Sequence, residues 1–263
     1  MLGSPIAHSL SPALHEAAYA ELGLTGWSYD RFEVTEGGLA GFVDRLDASW
    51  RGLSLTMPLK HAVLDLGEVD PVAALTEAGN TLILDGDVRR VHNTDVPGLV
   101  WAVRQVVAGP LAVVTVLGAG ATARSTLVSA AELGARRVQV VARTPAKAEA
   151  LRPLADRLGV ELDVLPWTAQ PPPADLLVST VVAGAPDPIA DELVATAPVV
   201  FDAVYDPWPT ALAAAAERAG CRVLNGLDLL VGQALLQVEL MTGLRPSAGV
   251  LRAAGQAELA ARP

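Results

Sequence analysis

The chain has 263 residues, of which 51% are hydrophobic, and its 29 acidic and 19 basic residues give a net charge of -10. Chains of this length are at the size where one core begins to divide, so we expect one large or two modest domains. No apolar run reaches the roughly 18 to 20 residues that span a bilayer, and a nucleic-acid surface needs a basic field. We therefore expect neither a membrane segment nor a nucleic-acid partner.

The cysteine and histidine residues indicate the expected cellular compartment and whether a metal site is expected. The single cysteine, Cys221, excludes an internal disulfide, and no positively charged apolar leader opens the sequence, so we expect a cytoplasmic protein. The histidines lack the spacing of a metal site, and we expect no metal.

Apolar runs alternate with amphipathic segments, which is typical of α/β proteins with parallel sheets. In the first third of the chain this pattern predicts strands and helices in alternation. Met1-Leu2-Gly3 precedes a motif that usually follows a strand, so either the first strand is very short or the true start lies upstream of Met1. The predicted strands are 28–34, 52–56 and 79–84, and the predicted helices are 12–22, 36–46 and 59–66.

From Ala112 the pattern predicts a tight βαβ unit. A strand at 112–117 is followed by a glycine turn, a helix that ends at Leu133, a helix stop at Gly134 and a second strand at 137–141. Helices and strands then continue to alternate before the chain ends in helices. The later strands are predicted at 161–165, 176–180, 199–203 and 222–224, and the last helices at 227–242 and beyond Pro246.

The turn after the first of these strands favours dinucleotide binding. Gly118, Ala119, Gly120, Ala121 and Thr122 close a strand and open a helix. This arrangement points backbone N–H groups and the positive helix end at an anion, normally a cofactor pyrophosphate. The strand-turn-helix context makes the signal more specific than the two glycines alone.

The residues that follow the second strand indicate which dinucleotide is expected to bind. Enzymes that use NAD place an acid about twenty residues after the glycine turn, whereas here Arg143, Thr144 and Lys147 occupy this region. Arginine and lysine can hold a 2′-phosphate and threonine can donate to it, so the sequence favours NADP. Thr144 could instead cap a helix that begins at Pro145, a role compatible with phosphate binding.

Lysine is rare in this chain. Lys60 and Lys147 are the only lysines among 19 basic residues. An arginine serves equally well as a solvated charge, but only a lysine amine readily exchanges a proton when its surroundings change. Lys60 is therefore a candidate proton donor.

Polar motifs crowd the first third of the chain at 8–12, 54–60, 79–81 and 92–95. Hydroxyls, amides and one proton donor could line a site for a small polyhydroxylated acid. Each motif also has a structural interpretation, since Ser11 and Asp95 could cap helices, residues 56–58 could be a strand end, and Asn80 and Asn93 suit turns.

Eight segments follow one another along the chain: GSPIAHSLSP, LTMPLK, GNTLI, NTDVPG, GAGATAR, ARTPAK, DAVYDPWPT and GLDLLVGQ. In order and spacing they resemble the motifs of the shikimate dehydrogenase family. The resemblance implies an α/β fold with an N-terminal α/β substrate domain (1–95 with 227–263) to which the C-terminal helices return. It implies a Rossmann-like, doubly wound NADP-binding domain at 96–226.

The resemblance also implies the site residues, with Lys60 and Asp95 as the catalytic pair. Substrate contacts would come from Ser9, Ser11, Thr56, Asn80, Asp95, Tyr205 and Gln233. Cofactor contacts would come from Gly118, Ala119, Gly120, Ala121, Thr122, Arg143, Thr144, Lys147, Val204 and Gly226. The chain departs from the family pattern at Ser54 and Ala142, where asparagine is usual, at Ala121, where glycine is usual, and at Val181 and Leu229.

The implied activity is the NADPH-dependent, reversible reduction of 3-dehydroshikimate to shikimate. Hydride addition to a ketone leaves an alkoxide that must be protonated, and an ammonium held by a carboxylate is a suitable donor. Two alternatives are a quinate/shikimate dehydrogenase that uses NAD and a non-catalytic NADP-binding regulator. The expected partner is a small-molecule substrate, and the expected assembly is a monomer or a homodimer.

Overall fold

A computed structural model describes residues 1–262, which form two compact units. The first unit contains Met1–Gly98 and the chain from Leu230 onward, and the second contains Leu99–Leu229. Pro263, the last residue of the predicted segment 227–263, lies outside the described residues. Each unit boundary falls three residues after the predicted domain boundaries at 95 and 226.

The first unit combines short strands with helices that begin close to the predicted positions. The predicted helix 59–66 is instead a short α-helix followed by a 3-10 helix at Val63–Leu66. The strands are β1 (Leu2–Gly3), β2 (Phe32–Glu33), β3 (Gly52–Ser54), β4 (Glu68–Val69), β5 (Thr81–Asp85) and β6 (Val88–His92). The helices of the first part of the chain are α1 (Ser11–Glu21), α2 (Glu36–Val43), α3 (Leu59–Ala62), α4 (Pro71–Thr76) and α5 (Asp95–Arg104).

The main sheet of the first unit is mixed, so the prediction of parallel sheets throughout was wrong here. Its order is β3-β5-β6-β4, with β5 antiparallel to β3 and β6 and with β4 parallel to β6. The turn between β5 and β6 has two residues, and Gly86 adopts a φ of 60° there. This tight hairpin forces antiparallel pairing. Sequence reasoning missed β6 because Arg89 and Arg90 interrupt its apolar pattern.

Strands β1 and β2 form a separate parallel pair of two residues each, much shorter than the strand predicted at 28–34. An isolated bridge between Leu2 and Leu55 joins β1 to the segment after β3. Leucine and valine side chains from these elements and from α2 and α3 fill a common core. Its buried members are Leu2, Val34, Leu39, Val43, Leu53, Leu55, Leu59, Val63, Ala73, Leu82 and Val91.

The second unit contains the predicted βαβ pattern. Its strands are β7 (Val113–Leu117), β8 (Arg137–Ala142), β9 (Glu161–Pro166), β10 (Leu176–Ser179), β11 (Val199–Asp202) and β12 (Arg222–Asn225). The helices that follow α5 are α6 (Ala121–Glu132), α7 (Pro145–Glu149), α8 (Arg152–Leu158), α9 (Ala190–Val194), α10 (Ala211–Arg218), α11 (Gly226–Thr242) and α12 (Ala248–Ala260).

These strands form one parallel sheet of six strands in the order β12-β11-β10-β7-β8-β9. The chain builds outward from β7 through β8 and β9, then crosses back to β10 and builds in the other direction. This strand order confirms the predicted Rossmann-like, doubly wound fold. Such sheets bind ligands beyond the carboxyl ends of the strands where the direction reverses, which here lies between β7 and β10.

Among the described residues, no helix has the combined length and apolar character that a membrane crossing requires.

Candidate active site

A salt bridge between Lys60 and Asp95 is the central feature of the first unit. The Nζ atom of Lys60 lies 2.6 Å from Oδ2 of Asp95, although the two residues are 35 positions apart. The carboxylate side chain is 5% exposed and the lysine side chain 21% exposed. The low exposure of the carboxylate strengthens the attraction between the two charges. The larger exposed fraction of the lysine side chain leaves its ammonium within reach of a ligand.

The start of helix α5 leaves the Asp95 carboxylate available for this contact. The helix begins at Asp95, and its positive end favours a negative charge. The capping role falls to Asn93, whose Oδ1 accepts from the Val96 N–H at 3.1 Å. The interpretation of Asp95 as the helix cap was therefore wrong.

Ser11 is also not a helix cap. It is the first residue of α1, and the capping position is occupied by Leu10 without a side-chain cap bond. The Ser11 N–H instead donates to Oγ of Ser9 at 3.3 Å, so the two serines share one turn. The Ser11 hydroxyl consequently does not cap this helix.

Two amides fix the other oxygen of Asp95. Oδ1 accepts hydrogen bonds from Nδ2 of Asn80 at 3.0 Å and from Nε2 of Gln233, which is carried by α11. Four residues that the family resemblance implied as site residues, Lys60, Asn80, Asp95 and Gln233, thus meet at one carboxylate. Both carboxylate oxygens are held, which restricts the lysine position.

Thr56 lies just after β3, in the loop that leads to Lys60. Its N–H donates to the Leu2 carbonyl at 2.9 Å, and its carbonyl accepts from the Leu59 N–H at 2.8 Å. The strand end and the first turn of α3 are therefore joined through Thr56, which is half-buried.

In the second unit the glycine turn follows β7 at the reversal point of the sheet. Gly118 adopts a φ of 102°, and a Cβ atom there would lie 2.7 Å from Oγ1 of Thr180. Both the backbone conformation at residue 118 and the nearby Thr180 side chain therefore require glycine. Helix α6 then begins at Ala121, so the N–H groups of the 118–122 segment lie at its positive end.

Arg143, Thr144 and Lys147 are exposed at the carboxyl end of β8. Thr144 occupies the capping position of α7 but makes no side-chain cap bond, so the capping interpretation does not account for its hydroxyl. The glycine turn and this basic segment line one cavity of about 300 Å³. Its lining residues are Gly118, Ala119, Gly120, Ala142, Arg143, Thr144, Lys147, Trp167, Thr180, Val181 and Val182.

Val204, Tyr205 and Gly226 cluster elsewhere in the second unit. The Gly226 N–H donates to the Val204 carbonyl at 3.3 Å, and a Cβ atom at Gly226 would overlap the Ala203 carbonyl. The buried Asp202 holds this loop by accepting from the Val204 N–H at 3.2 Å and the Thr210 hydroxyl at 2.8 Å. Burial raises the pKa of Asp202 above its ordinary value.

Metal ligands do not converge in the described part of the chain, where no group of three or more histidine, cysteine or acidic side chains could hold an ion.

Comparison with known proteins identifies the family. Family models described as the shikimate dehydrogenase substrate binding domain and the shikimate 5′-dehydrogenase C-terminal domain match residues 1–82 and 226–254. A shikimate dehydrogenase (NADP(+)) from Methylobacterium radiotolerans is 40% identical over 94% of this chain and 91% of its own length. The chain belongs to the shikimate dehydrogenase family.

Solved shikimate dehydrogenases share this fold. The enzyme from Mycobacterium tuberculosis is 41% identical, superposes with a TM-score of 0.91, and is matched over 97% of both chains. The enzyme from Thermus thermophilus, solved with NADP(H) and shikimate, is 33% identical with a TM-score of 0.85 over 98% of both chains. The predicted family and fold class are therefore confirmed.

Sequence reasoning missed four polar residues behind the Lys60–Asp95 pair: His15, Thr81, Thr94 and Gln237. All four are buried. The motifs at 79–81 and 92–95 already contained the two threonines, and Gln237 lies one helical turn beyond Gln233, so spacing could have indicated them. His15 carries no such signal, because its partner Gln237 is 222 positions away.

Proposed function

We propose that this protein catalyses the NADPH-dependent, reversible reduction of 3-dehydroshikimate to shikimate. The observation that carries the proposal is the 2.6 Å ion pair between Lys60 and Asp95, in a chain that belongs to the shikimate dehydrogenase family. The Methylobacterium radiotolerans relative, a shikimate dehydrogenase (NADP(+)), and the Thermus thermophilus enzyme, solved with NADP(H) and shikimate, support the substrate and the cofactor.

The lysine would handle the proton. NADPH, when bound, supplies a hydride to the ketone carbon of the substrate. Lys60, as an ammonium, donates a proton to the oxygen that becomes the new hydroxyl. Asp95 orients the ammonium and stabilises its charge, and in the reverse direction the neutral amine accepts the hydroxyl proton.

We assign substrate contacts to the first unit and, by the family resemblance, to one residue of the second. Support comes from the amides and hydroxyls that surround Asp95 and from the match of residues 1–82 to a substrate-binding family model. The proposed contacts are Ser9, Ser11, Thr56, Asn80, Asp95, Tyr205 and Gln233.

We assign NADP to the second unit. The glycine turn would hold the pyrophosphate, and the exposed Arg143, Thr144 and Lys147 would hold the 2′-phosphate. No carboxylate follows β8 before Glu149, which disfavours NAD. The proposed contacts are Gly118, Ala119, Gly120, Ala121, Thr122, Arg143, Thr144, Lys147, Val204 and Gly226.

Rates with purified protein test the function against its two alternatives. We expect shikimate with NADP⁺ to be oxidised faster than shikimate with NAD⁺ or quinate with either cofactor. Faster quinate oxidation with NAD⁺ would favour a quinate/shikimate dehydrogenase. Tight NADPH binding with no turnover in any combination would favour the non-catalytic regulator.

Two finer assignments accompany this function. We propose that the enzyme works in the cytoplasm, as its single free cysteine suits a reducing compartment. We propose a monomer or a homodimer as the working assembly, and light scattering at assay concentration distinguishes these.

A further inference from the structure

Behind the Lys60–Asp95 pair lies a buried glutamine whose hydrogen bonds within the described part of the chain reach neither residue of the pair. Gln237 is 4% exposed and lies one turn after Gln233 on α11. Its Nε2 group donates to the hydroxyls of Thr81 at 2.9 Å and Thr94 at 3.3 Å. Both ends of the amide are engaged, because Oε1 accepts from the Ser54 hydroxyl at 3.0 Å.

The two threonines connect this glutamine to Asn80. Their hydroxyls each donate to Oδ1 of Asn80 at 3.0 Å, and the Thr94 N–H donates to the same oxygen at 2.8 Å. Because these three donors hold Oδ1, the NH₂ group of Asn80 faces the other way, and its Nδ2 donates to Asp95 at 3.0 Å.

Donor counting makes the direction of the two hydroxyl bonds depend on Gln237. A hydroxyl has one proton, and both threonines donate theirs to Asn80. Only the lone pairs of the two hydroxyls therefore face Gln237. A group with N–H donors satisfies those lone pairs, whereas a group with only acceptors would attract the hydroxyl protons away from Asn80. The amide of Gln237 therefore supports the observed pattern.

His15 fixes the opposite end of the glutamine. Its Nε2 lies 3.2 Å from Oε1 of Gln237, whereas its Nδ1 has no hydrogen-bond partner among the described residues. Burial lowers the pKa of His15 to about 3, so the ring is neutral at pH 7 and carries one proton. That proton resides on Nε2 and is donated to Oε1, which orients the amide group toward the threonines.

We infer that Gln237 is a positioning residue for the reaction: its amide orients the Thr81 and Thr94 hydroxyls, which hold the Asn80 amide against the carboxylate that holds Lys60. This inference rests on the proposed function. Gln237 would act without touching the substrate, and small displacements of such groups reduce turnover strongly.

Two substitutions separate hydrogen-bond direction from shape. Gln237→Glu retains the shape but offers at most one donor in place of two, and Gln237→Met keeps the length without either polar end. We expect both to lower kcat/KM for shikimate about tenfold or more, a magnitude typical of a displaced positioning group. The dissociation constant for NADPH should stay within about twofold. The exposed Gln256 of α12 provides matched controls, and Gln256→Glu and Gln256→Met should behave as the wild type.

A double-substitution cycle distinguishes positioning through Asn80 from a general packing effect. In an Asn80→Ala background, Gln237→Met should reduce kcat/KM by less than about threefold. Effects that multiply in full, or wild-type kcat/KM in folded Gln237→Met and Gln237→Glu proteins, would overturn the inference.

A crystal structure of the Gln237→Met protein gives an answer that does not depend on activity. We expect the Asn80 amide to leave hydrogen-bond distance of Asp95. An unchanged 3.0 Å contact would overturn the inference even if the proposed function holds. Absence of shikimate oxidation by the wild-type protein would instead contradict the proposed function, and the crystal structure would still decide the role of Gln237.

Discussion

The two lysines of this chain occupy different environments. Lys60 is partly buried against a carboxylate, whereas Lys147 is exposed beside Arg143 and Thr144 at the end of β8. A proton donor needs a fixed position near its partner, and a phosphate ligand needs an accessible charge. The placement of each lysine therefore suits the role proposed for it.

Arg143 provides a test of cofactor choice at the level of one residue. Replacing it with aspartate removes a phosphate ligand and adds a repulsive charge, so Arg143→Asp should weaken NADPH binding by about 10- to 100-fold. NADH, which lacks the 2′-phosphate, should be affected much less. Fluorescence titration of both cofactors measures the difference.

Arg136, exposed just before β8, offers the matched control. Arg136→Asp changes the net charge equally at the opposite end of the strand, and we expect it to leave the preference for NADPH intact. An unchanged preference in the Arg143→Asp protein would remove the 2′-phosphate assignment.

At the scale of elements, the turn between β7 and α6 contains two glycines with different constraints. Gly118→Ala places a side chain at a positive φ and against Thr180, so we expect a loss of about 2 kcal/mol in unfolding free energy. At Gly120 an added Cβ atom would have no neighbour within 4 Å. Gly120→Ala should thus spare stability but weaken NADPH binding, since the pyrophosphate must approach this backbone closely.

Urea unfolding and NADPH titration of the two variants check this pair of outcomes. Equal stability losses would show that the turn is constrained only by folding. Unchanged NADPH affinity in the Gly120→Ala protein would contradict the assignment of the pyrophosphate to this turn.

Elements of the second unit could be predicted closely from the sequence, and those of the first unit less so. Strands such as β7 and β8 are buried over most of their length and appear as mostly apolar runs near glycine signals. Strands β1 and β4 have two residues each, too few for any periodicity to appear. Their existence depends on tertiary pairing.

The residues of the candidate site also differ in how well the sequence could indicate them. Lys60, Asn80 and Asp95 stand in compact polar motifs, so the sequence could indicate them. Gln237 lies within a helix whose sequence is typical of apolar core, and its partner Ser54 is 183 positions away. The spacing from Gln233 could indicate Gln237 itself, but a contact between residues so far apart in the chain is set by folding, and the pattern of a single sequence does not indicate it.

For the whole molecule, the buried His15 predicts how stability responds to acid. Burial, opposed in part by the hydrogen bond to Gln237, lowers the pKa of His15 in the folded state to about 3, below its ordinary value of 6.5. Between these values the unfolded chain binds more protons than the folded one, so stability falls as the pH falls. Protonation of His15 in the unfolded chain lowers the free energy of unfolding by up to about 1.4 kcal/mol for each pH unit in this range.

Unfolding free energies of wild type and His15→Gln between pH 7 and pH 5 measure this dependence. The stability advantage of the wild type should shrink as the pH decreases, because glutamine does not titrate. His8, which is exposed, supplies the control, and His8→Gln should keep the wild-type dependence. An advantage that stays constant over this range would contradict the buried, neutral state of His15.

The central claim, that Lys60 transfers the proton, is tested most directly by the turnover of Lys60→Ala. We predict that kcat for 3-dehydroshikimate reduction falls by about 10²- to 10⁴-fold, while the dissociation constant for NADPH stays within about twofold. Lys147→Ala should show the reverse, with weaker NADPH binding and a kcat near that of the wild type. A Lys60→Ala protein that retains kcat within tenfold of the wild type would contradict the account.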